Sequence, residues 1–416
     1  MDKQIYLCLA HMSKAGLEQK YVKEAFDTNW VVPLGPNVNA FEEDLKQFTG
    51  DTHEVVALSA GTAAVHLALI VCGVGPGDEV LVQSFTFCAS SHPITYLGAK
   101  PVFVGSEPET WNMDPVLLEE AIKDRIAKIG KKPKAIVPVA LYGMPYDCKR
   151  IMEIADRYDI PVVEDAAEGF GSKFDGRILG TFGKFGVLSF NGNKMITTSG
   201  GGALVCQSAE DKNTVMWYAT QARDAYPYYQ HTAIGYNYRM SNICAGIGRG
   251  QMMVAQAHID HHKHVQALYE ELLREVKGVH IHRQPADPRY DSNFWLCTAT
   301  LDADVKVQGQ ENAYKEVIKT AVGGAVGVIK AVESATTDCQ PNDNVEALRV
   351  FMATNRIETR PVWKPMHKQP VYVDAVVYTN GVEEEIFKVG FCLPAGPWVT
   401  DEDVKYIVEK IKEAIL

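Results

Sequence analysis

The chain has 416 residues, of which 46% are hydrophobic and 22% are charged, and its formal net charge at pH 7 is −11. This composition is close to average globular usage and excludes disordered, collagenous and membrane-spanning proteins. The acidic balance argues against nucleic acid as a partner, because binding to its phosphates requires clustered Lys and Arg.

Nine cysteines are scattered along the chain from Cys8 to Cys392, and no two of them form a Cys-x-x-Cys pair. This spacing predicts reduced thiols rather than disulfides or a zinc site, and we expect no metal. The first residues, Met1-Asp2-Lys3-Gln4, are not followed by the apolar stretch of a signal peptide. We therefore expect a cytoplasmic protein without a membrane partner.

Short β-branched runs alternate with helical patterns between residues 54 and 205, which is typical of βαβ units with a parallel sheet. The predicted strands are Glu54–Ser59, Glu79–Gln83, Pro101–Val104, Ala135–Val139, Pro161–Glu164, Gly186–Phe190 and Gly202–Cys206. The predicted helices between them include Ala63–Val71, Pro115–Ala127 and Cys148–Tyr158.

Residues 221–240 are rich in Tyr and Asn and are predicted to form a loop. A helical segment follows from about Asn242 to Val276, with a possible break near its middle, and the chain closes with a helix at Asp401–Leu416. The predicted fold class is α/β, with a large domain of mostly parallel sheet over residues 1–255 and a smaller C-terminal α/β domain over 256–416.

Three segments carry candidate chemistry, and the first is a tight turn between a strand and a helix. Gly61 in this turn permits close backbone approach, and Thr62 adds a hydroxyl beside the free N–H groups of a helix start. Such a turn can bind phosphate. An ordinary βα turn with a capped helix is the alternative interpretation.

The second segment places Glu164, Asp165 and Glu168 at the end of an apolar strand. Ligands of open parallel sheets bind beyond the carboxyl ends of the strands, where a carboxylate could hold a cationic ring nitrogen. The alternative is that Asp165 caps the next helix.

The third segment surrounds Lys194 with the turn Asn191-Gly192-Asn193 and the glycines at 200–202. Glycines let a backbone approach a ligand closely, and a lysine amine can form a Schiff base. A hairpin with a surface lysine is the alternative. Lys184 is the competing lysine, but it does not lie between an Asn-Gly-Asn turn and a run of three glycines. The histidines at 258, 261, 262 and 264 could share a helix face, but no Cys or paired carboxylate motif completes a metal site.

These pieces occur in the order phosphate turn, aromatic residue, acid, serine, lysine and glycines. That order resembles the DegT/StrS-type sugar-nucleotide aminotransferases, which use pyridoxal 5′-phosphate (PLP) on an aspartate-aminotransferase-like fold (fold type I). The resemblance covers nearly the whole chain, and Glu164-Asp165-Ala166-Ala167 with Asn193-Lys194-Met195-Ile196-Thr197-Thr198 is its most specific part.

The resemblance implies catalytic roles for two residues. Lys194 matches the lysine that forms the Schiff base with PLP, and Asp165 matches the partner of the pyridine nitrogen. Glu168 lies in the cofactor site at a position where many relatives have His.

The resemblance also implies residues that bind other parts of PLP. Ser189 and Thr62, with the backbone of Gly61, match the phosphate-binding positions, and Phe87 matches the aromatic residue that stacks on the ring. Asn237 resembles the asparagine that reaches the phosphate of the neighbouring subunit, which implies a homodimer with shared active sites.

Within the family, the chain resembles enzymes of the bacillosamine pathway, which aminate a UDP-linked 4-keto-6-deoxy-N-acetyl-hexosamine with L-glutamate as donor. The supporting stretches are His11-Met12-Ser13, Gln221-Ala222-Arg223, Gly235–Asn242, Glu358–Pro361 and Trp363–His367. The candidate substrate residues are His11, Arg360, Lys364 and His367.

Several alternative functions remain open. The chain could be an aminotransferase of the same family that acts on a dTDP-linked sugar or at a 3-keto carbon. A PLP-dependent sugar dehydratase is disfavoured because such relatives replace the lysine with histidine, whereas this chain has Lys194. A non-catalytic PLP-fold regulator would have lost Lys194, Asp165 and Ser189, and a nicotinamide oxidoreductase would need the missing strand–G-x-G-x-x-G–helix signature.

Overall fold

The computed structural model describes residues 3–314 and 339–416, so residues 315–338 of the predicted second domain lie outside the described part. The helices are α1 Leu17–Asp27, α2 Pro36–Phe48, α3 Gly61–Val71, α4 His92–Tyr96, α5 Pro115–Ile129, α6 Cys148–Tyr158, α7 Ala209–Ala219, α8 Asn242–Met252, α9 Ala255–Leu272, α10 Asp343–Thr354, α11 Val382–Val389 and α12 Asp401–Ala414. The strands are β1 Glu54–Leu58, β2 Glu79–Gln83, β3 Lys100–Val104, β4 Ala135–Val137, β5 Val163–Asp165, β6 Lys173–Phe174, β7 Arg177–Ile178, β8 Phe185–Ser189, β9 Gly202–Cys206, β10 Val279–Ile281, β11 Tyr290–Asp291, β12 Cys297–Leu301, β13 Arg360–Pro361, β14 Val376–Tyr378 and β15 Gly390–Leu393.

The centre of the molecule is a sheet with the strand order β1-β9-β8-β5-β4-β2-β3-β14. Hydrogen-bonded pairs build its two halves, and parallel bridges at Ile136–Val162 and Val139–Asp165 join β4 to β5. Every neighbouring pair from β8 to β14 is parallel, whereas β9 runs antiparallel to both β1 and β8. This topology confirms the predicted α/β fold with a mostly parallel sheet.

The apolar composition of these strands follows from burial on both faces. Leu81 and Ile136 belong to the core on one face, and Val80, Val82 and Val137 belong to the core on the other. Parallel strands covered by helices on both faces have apolar residues throughout, which explains why the pattern was visible in the sequence. The helix α5 begins directly after its N-cap residue Asp114, whose side chain accepts a hydrogen bond from the N–H of Val116.

A second sheet, β10-β12-β15-β13, is antiparallel and packs with α9, α10 and α12 around a separate core. The predicted helical segment is interrupted between α8 and α9, as expected. The strand β14 was not predicted, and it joins the edge of the central sheet although it lies within the predicted second domain. The boundary at residue 255 stays a prediction. In the described ranges, no helix is long and apolar enough to cross a membrane.

Candidate active site

A cavity of about 420 Å³ lies at the carboxyl ends of β1, β2, β5 and β8. The residues Gly61, Thr62, Phe87, Asp165, Glu168, Ser189 and Lys194 all line it. The structure therefore brings together seven residues that sequence reasoning took from four separate segments. Their position agrees with the rule that ligands of open α/β sheets bind outside the carboxyl ends of the strands.

One wall of the cavity is the amino terminus of α3. Ala60 precedes this helix in an extended conformation, and no side chain caps it. A Cβ atom on Gly61 would lie 3.1 Å from the Cβ of Ser189, so the helix start and the end of β8 are in close approach. Uncapped N–H groups beside a serine hydroxyl form a cradle for an anion such as phosphate.

Gly202 keeps this cradle in place, because a Cβ at position 202 would lie 2.4 Å from the backbone nitrogen of Gly61. We expect Gly202→Ala to displace the helix start, to lower the free energy of unfolding by about 1–3 kcal/mol, and to weaken PLP binding. Denaturant unfolding and PLP titration measure these effects. The matched control is Gly75→Ala, since a Cβ there has no atom within 4 Å. Equal PLP affinity in the two variants would contradict this account of the cradle.

Asp165 lies buried at the base of the cavity. Its Oδ2 accepts a hydrogen bond of 2.6 Å from the Ser90 hydroxyl, and its Oδ1 accepts one of 3.1 Å from the N–H of Ala167. Burial raises the pKa of Asp165, whereas these two donors and the charge of Lys194 act in the opposite direction. No helix begins at the residues directly after Asp165, so the helix-cap alternative is wrong.

Lys194 lies in the connection between the antiparallel strands β8 and β9, but it is not a surface residue. Its side chain is 13% exposed, and its Nζ lies 3.3 Å from Oε1 of Glu168. The same Nζ lies 4.0 Å from the centre of the Trp295 ring. The alternative of a hairpin with a surface lysine is therefore wrong. The amine is held at the cavity wall between a carboxylate and the face of an aromatic ring.

Glu168 is fixed by a second contact, because its Oε2 accepts a hydrogen bond of 2.7 Å from the N–H of Tyr142. Burial raises the pKa of Glu168, and the neighbouring Lys194 lowers it. Tyr142 has a backbone φ of 55°. This left-handed conformation is uncommon for a bulky residue and is typical of functional sites.

An aromatic wall closes another side of the cavity. Phe87 follows β2 and remains 49% exposed, and its ring centre lies 5.2 Å from that of Trp363. The backbone N–H of Trp363 donates a hydrogen bond of 2.7 Å to the Tyr142 hydroxyl. An exposed aromatic face such as that of Phe87 can stack on a planar ligand.

The four predicted substrate residues lie outside the cavity lining. The ring of His11 packs at 4.6 Å against Trp398, and Arg360 forms an ion pair of 2.7 Å with Glu358. Lys364 is half-buried and follows the wall residue Trp363. Binding of substrate by these residues stays a prediction.

His367 is held by groups of the protein itself. Its Nδ1 lies 2.6 Å from the Ser84 hydroxyl, and its Nε2 lies 3.0 Å from Oε1 of Glu384. These contacts attach the segment after Trp363 to the end of β2. Asn237 also lies outside the lining of the cavity, and it is exposed.

Sequence reasoning missed four residues of the site: Ser90, Tyr142, Trp295 and Trp363. A hydroxyl residue close to the predicted ring-stacking Phe87 was the available signal for Ser90. Trp363 belonged to a stretch that carried the family resemblance. For Tyr142 and Trp295 no local signal existed, because they reach Glu168 and Lys194 from distant parts of the chain.

A partly buried lysine, a buried carboxylate and an anion cradle at this edge of the sheet define a PLP-dependent enzyme of fold type I. The sequence model of the DegT/DnrJ/EryC1/StrS aminotransferase family matches residues 13–326 and 315–412. The chain therefore belongs to this family, and it is a PLP-dependent sugar aminotransferase.

Individual relatives agree with this assignment. EpsN of Bacillus subtilis (strain 168), whose name describes a pyridoxal phosphate-dependent aminotransferase, is 41% identical over 413 residues, covering 98% of this chain and 95% of EpsN. The GDP-perosamine synthase of Escherichia coli O157:H7 is 33% identical over 410 residues, 98% of each chain. The solved structure of a DegT DnrJ EryC1 StrS aminotransferase from Brucella abortus has a TM-score of 0.81 at 26% identity, covering 96% of this chain and 95% of its own.

The residues of the cavity fit PLP. The uncapped start of α3 and Ser189 would suit its phosphate, Asp165 would suit its ring nitrogen, and Lys194 would provide the amine for its aldehyde. When bound, PLP withdraws electrons from the substrate carbon that carries the transferred nitrogen, which makes the proton on that carbon removable.

Proposed function

We propose that the protein transfers the amino group of L-glutamate to the 4-keto carbon of a UDP-linked 4-keto-6-deoxy-N-acetyl-hexosamine. In the complete reaction, glutamate becomes 2-oxoglutarate and the keto oxygen of the sugar is replaced by an amine. The observation that carries the proposal is the partly buried Lys194 amine, which shares one cavity with Asp165 and the anion cradle.

In this reaction the Lys194 amine takes the proton from the α-carbon of glutamate and later returns a proton to the sugar carbon. Glu168 and Trp295 orient this amine from two sides. Asp165 holds a proton on the ring nitrogen through its negative charge.

The choice of a 4-keto sugar rests on the segments that resemble the bacillosamine enzymes. One residue of these segments, Trp363, lines the same cavity as Lys194. Trp363 could therefore contact a sugar that reaches the Lys194 amine. The relation to a GDP-perosamine synthase makes a GDP-linked sugar the main competing acceptor.

A panel of ketosugars tests the acceptor. The purified protein is given glutamate with UDP-, GDP- and dTDP-linked 4-keto sugars and with a UDP-linked 3-keto sugar, and kcat/KM is measured for each. We expect the UDP-linked 4-keto N-acetyl sugar to be the best acceptor. A higher kcat/KM for any other member would reject this acceptor while leaving the aminotransferase activity in place.

The active sites belong to a homodimer in this proposal. The described lining of the cavity contains two carboxylates, Asp165 and Glu168, and Lys194 is its one cation, so anionic substrates need polar groups from elsewhere. Asn237 is exposed and lies close in sequence to the exposed apolar Ile234 and Tyr229. A second copy of the chain would cover these apolar side chains and would receive Asn237 at its own phosphate cradle.

Mixed dimers test the shared site. We expect Asn237→Ala to raise the Kd for PLP by about 10-fold, the effect of one hydrogen bond to a charged group. A dimer of one Asn237→Ala chain and one Lys194→Ala chain should regain one tight PLP site, because the second chain supplies the missing asparagine. Asn213→Ala, an exposed asparagine of α7, is the control. A mixed dimer without a tight site would show that Asn237 does not act across the interface.

A further inference from the structure

Two hydroxyl groups form a buried chain that ends on Asp165. The Oγ1 of Thr86 lies 2.8 Å from the Oγ of Ser90, and the Ser90 hydroxyl donates a hydrogen bond of 2.6 Å to Oδ2 of Asp165. All three side chains are buried, with 4% or less of each residue exposed. Because the Ser90 hydroxyl donates its single proton to the carboxylate, Thr86 must be the donor in the hydrogen bond between the two hydroxyls.

We propose that Ser90, supported by Thr86, is a positioning residue that keeps Asp165 ionised and aimed at the ring nitrogen of PLP. The inference depends on PLP binding and on the aminotransferase reaction, but it does not depend on which sugar is the acceptor.

Asp165 requires these hydrogen bonds because of its surroundings. The carboxylate is buried, and burial favours its neutral form, which could not hold a proton on the ring nitrogen. A hydrogen bond from a hydroxyl to a carboxylate is about twice as strong as one between neutral groups, and a hydroxyl that itself accepts a hydrogen bond becomes a better donor. Ser90 and the N–H of Ala167 each take one carboxylate oxygen, so they also fix the plane of the carboxylate.

The two hydroxyls lie in the same segment as Phe87, so the residue that would stack on the PLP ring is next to the groups that keep Asp165 charged. Thr86 and Ser90 flank Phe87, whose ring is exposed in the cavity. A single short segment after β2 therefore carries the aromatic face for PLP and the hydroxyl chain for its ring-nitrogen partner.

Ser90→Ala tests the proposal. We expect this variant to raise the Kd for PLP by about 10-fold. It should lower kcat for the glutamate half-reaction by about 10- to 100-fold, with little change in the KM for glutamate. Loss of the donor also raises the pKa of Asp165. The acidic limb of the kcat profile, and the pH below which PLP binding weakens, should therefore move to higher pH.

The matched control is Ser91→Ala. The native Ser91 hydroxyl is buried in the same turn, but it donates its hydrogen bond to the carbonyl of Cys88 and not to Asp165. The control variant should leave the acidic limb in place. Ser90→Thr keeps the hydroxyl and should restore the native profile.

A merely structural Ser90 would lower stability without moving the acidic limb, and equal profiles for Ser90→Ala and Ser91→Ala would overturn the proposal. If Ser90→Ala does not fold, Ser90→Cys gives the same decision, because its thiol is similar in size and a weak donor. PLP titration and the glutamate half-reaction need no sugar. Failure of the acceptor proposed above would therefore leave this result unaffected.

Discussion

Replacing Lys194 with alanine should lower the rate of 2-oxoglutarate release from glutamate by about 10⁴-fold, the upper range for a lost general acid–base group. The variant should still bind PLP, because the phosphate cradle, Asp165 and Phe87 remain. It should not become covalently labelled. Borohydride reduction followed by peptide mass analysis should place PLP on the peptide that contains Lys194 in the native protein and on no peptide in the variant.

The chain offers a close control for this experiment in Lys184→Ala. Lys184 is another lysine of the central sheet region, but its side chain is 39% exposed and its Nζ lies 3.6 Å from a carboxylate oxygen of Asp211. Its removal should leave both labelling and turnover at native levels. Normal 2-oxoglutarate release by Lys194→Ala, or loss of labelling in Lys184→Ala, would remove Lys194 from the mechanism.

The central sheet could be predicted because the residue pattern of each strand is visible within a short stretch of sequence. Most strands from β1 to β9 that belong to the central sheet are apolar runs bounded by turns, and burial on both faces favours that pattern; β5 is the exception, since it ends in Glu164 and Asp165. The strand β14 was missed although Val376-Val377-Tyr378 is apolar, and it is an edge strand in which Val376 is exposed and Val377 and Tyr378 are half-buried. Its pairing with β3 joins segments more than 270 residues apart, and residue patterns carry no information about such a pairing.

The same distinction applies to the site. Asp165 and Lys194 were predictable because each lies in a short pattern of strand end, turn and glycines. The groups that determine their chemistry come from elsewhere: Ser90 reaches Asp165 over 75 positions, and Trp295 covers Lys194 from the segment before β12. Sequence reasoning could therefore name the reacting groups, whereas the pKa of Asp165 and the orientation of the amine require the three-dimensional structure.

Asp165→Asn should have the second large effect, because it removes the negative charge that holds a proton on the ring nitrogen while it keeps the size of the side chain. Without that charge the electrons left on the substrate carbon are poorly stabilised, so removal of the α-proton slows. We expect kcat to fall by about 10²- to 10³-fold, the cost of losing one group that stabilises charge in a transition state. Rapid mixing with glutamate measures this step directly.

Glutamate deuterated at the α-carbon makes the test specific to the proton transfer. If proton removal becomes rate-limiting in Asp165→Asn, its kinetic isotope effect should exceed that of the native protein. The acidic limb of the kcat profile should also lose the contribution of Asp165, whose pKa is raised by burial, while Glu168, the other buried carboxyl of the cavity, still titrates. The control is Asp156→Asn, an exposed aspartate of α6. An unchanged isotope effect with a slower turnover would mean that Asp165 acts on binding and not on the proton. Because PLP titration measures binding separately, these two roles of one carboxylate can be distinguished in a single variant.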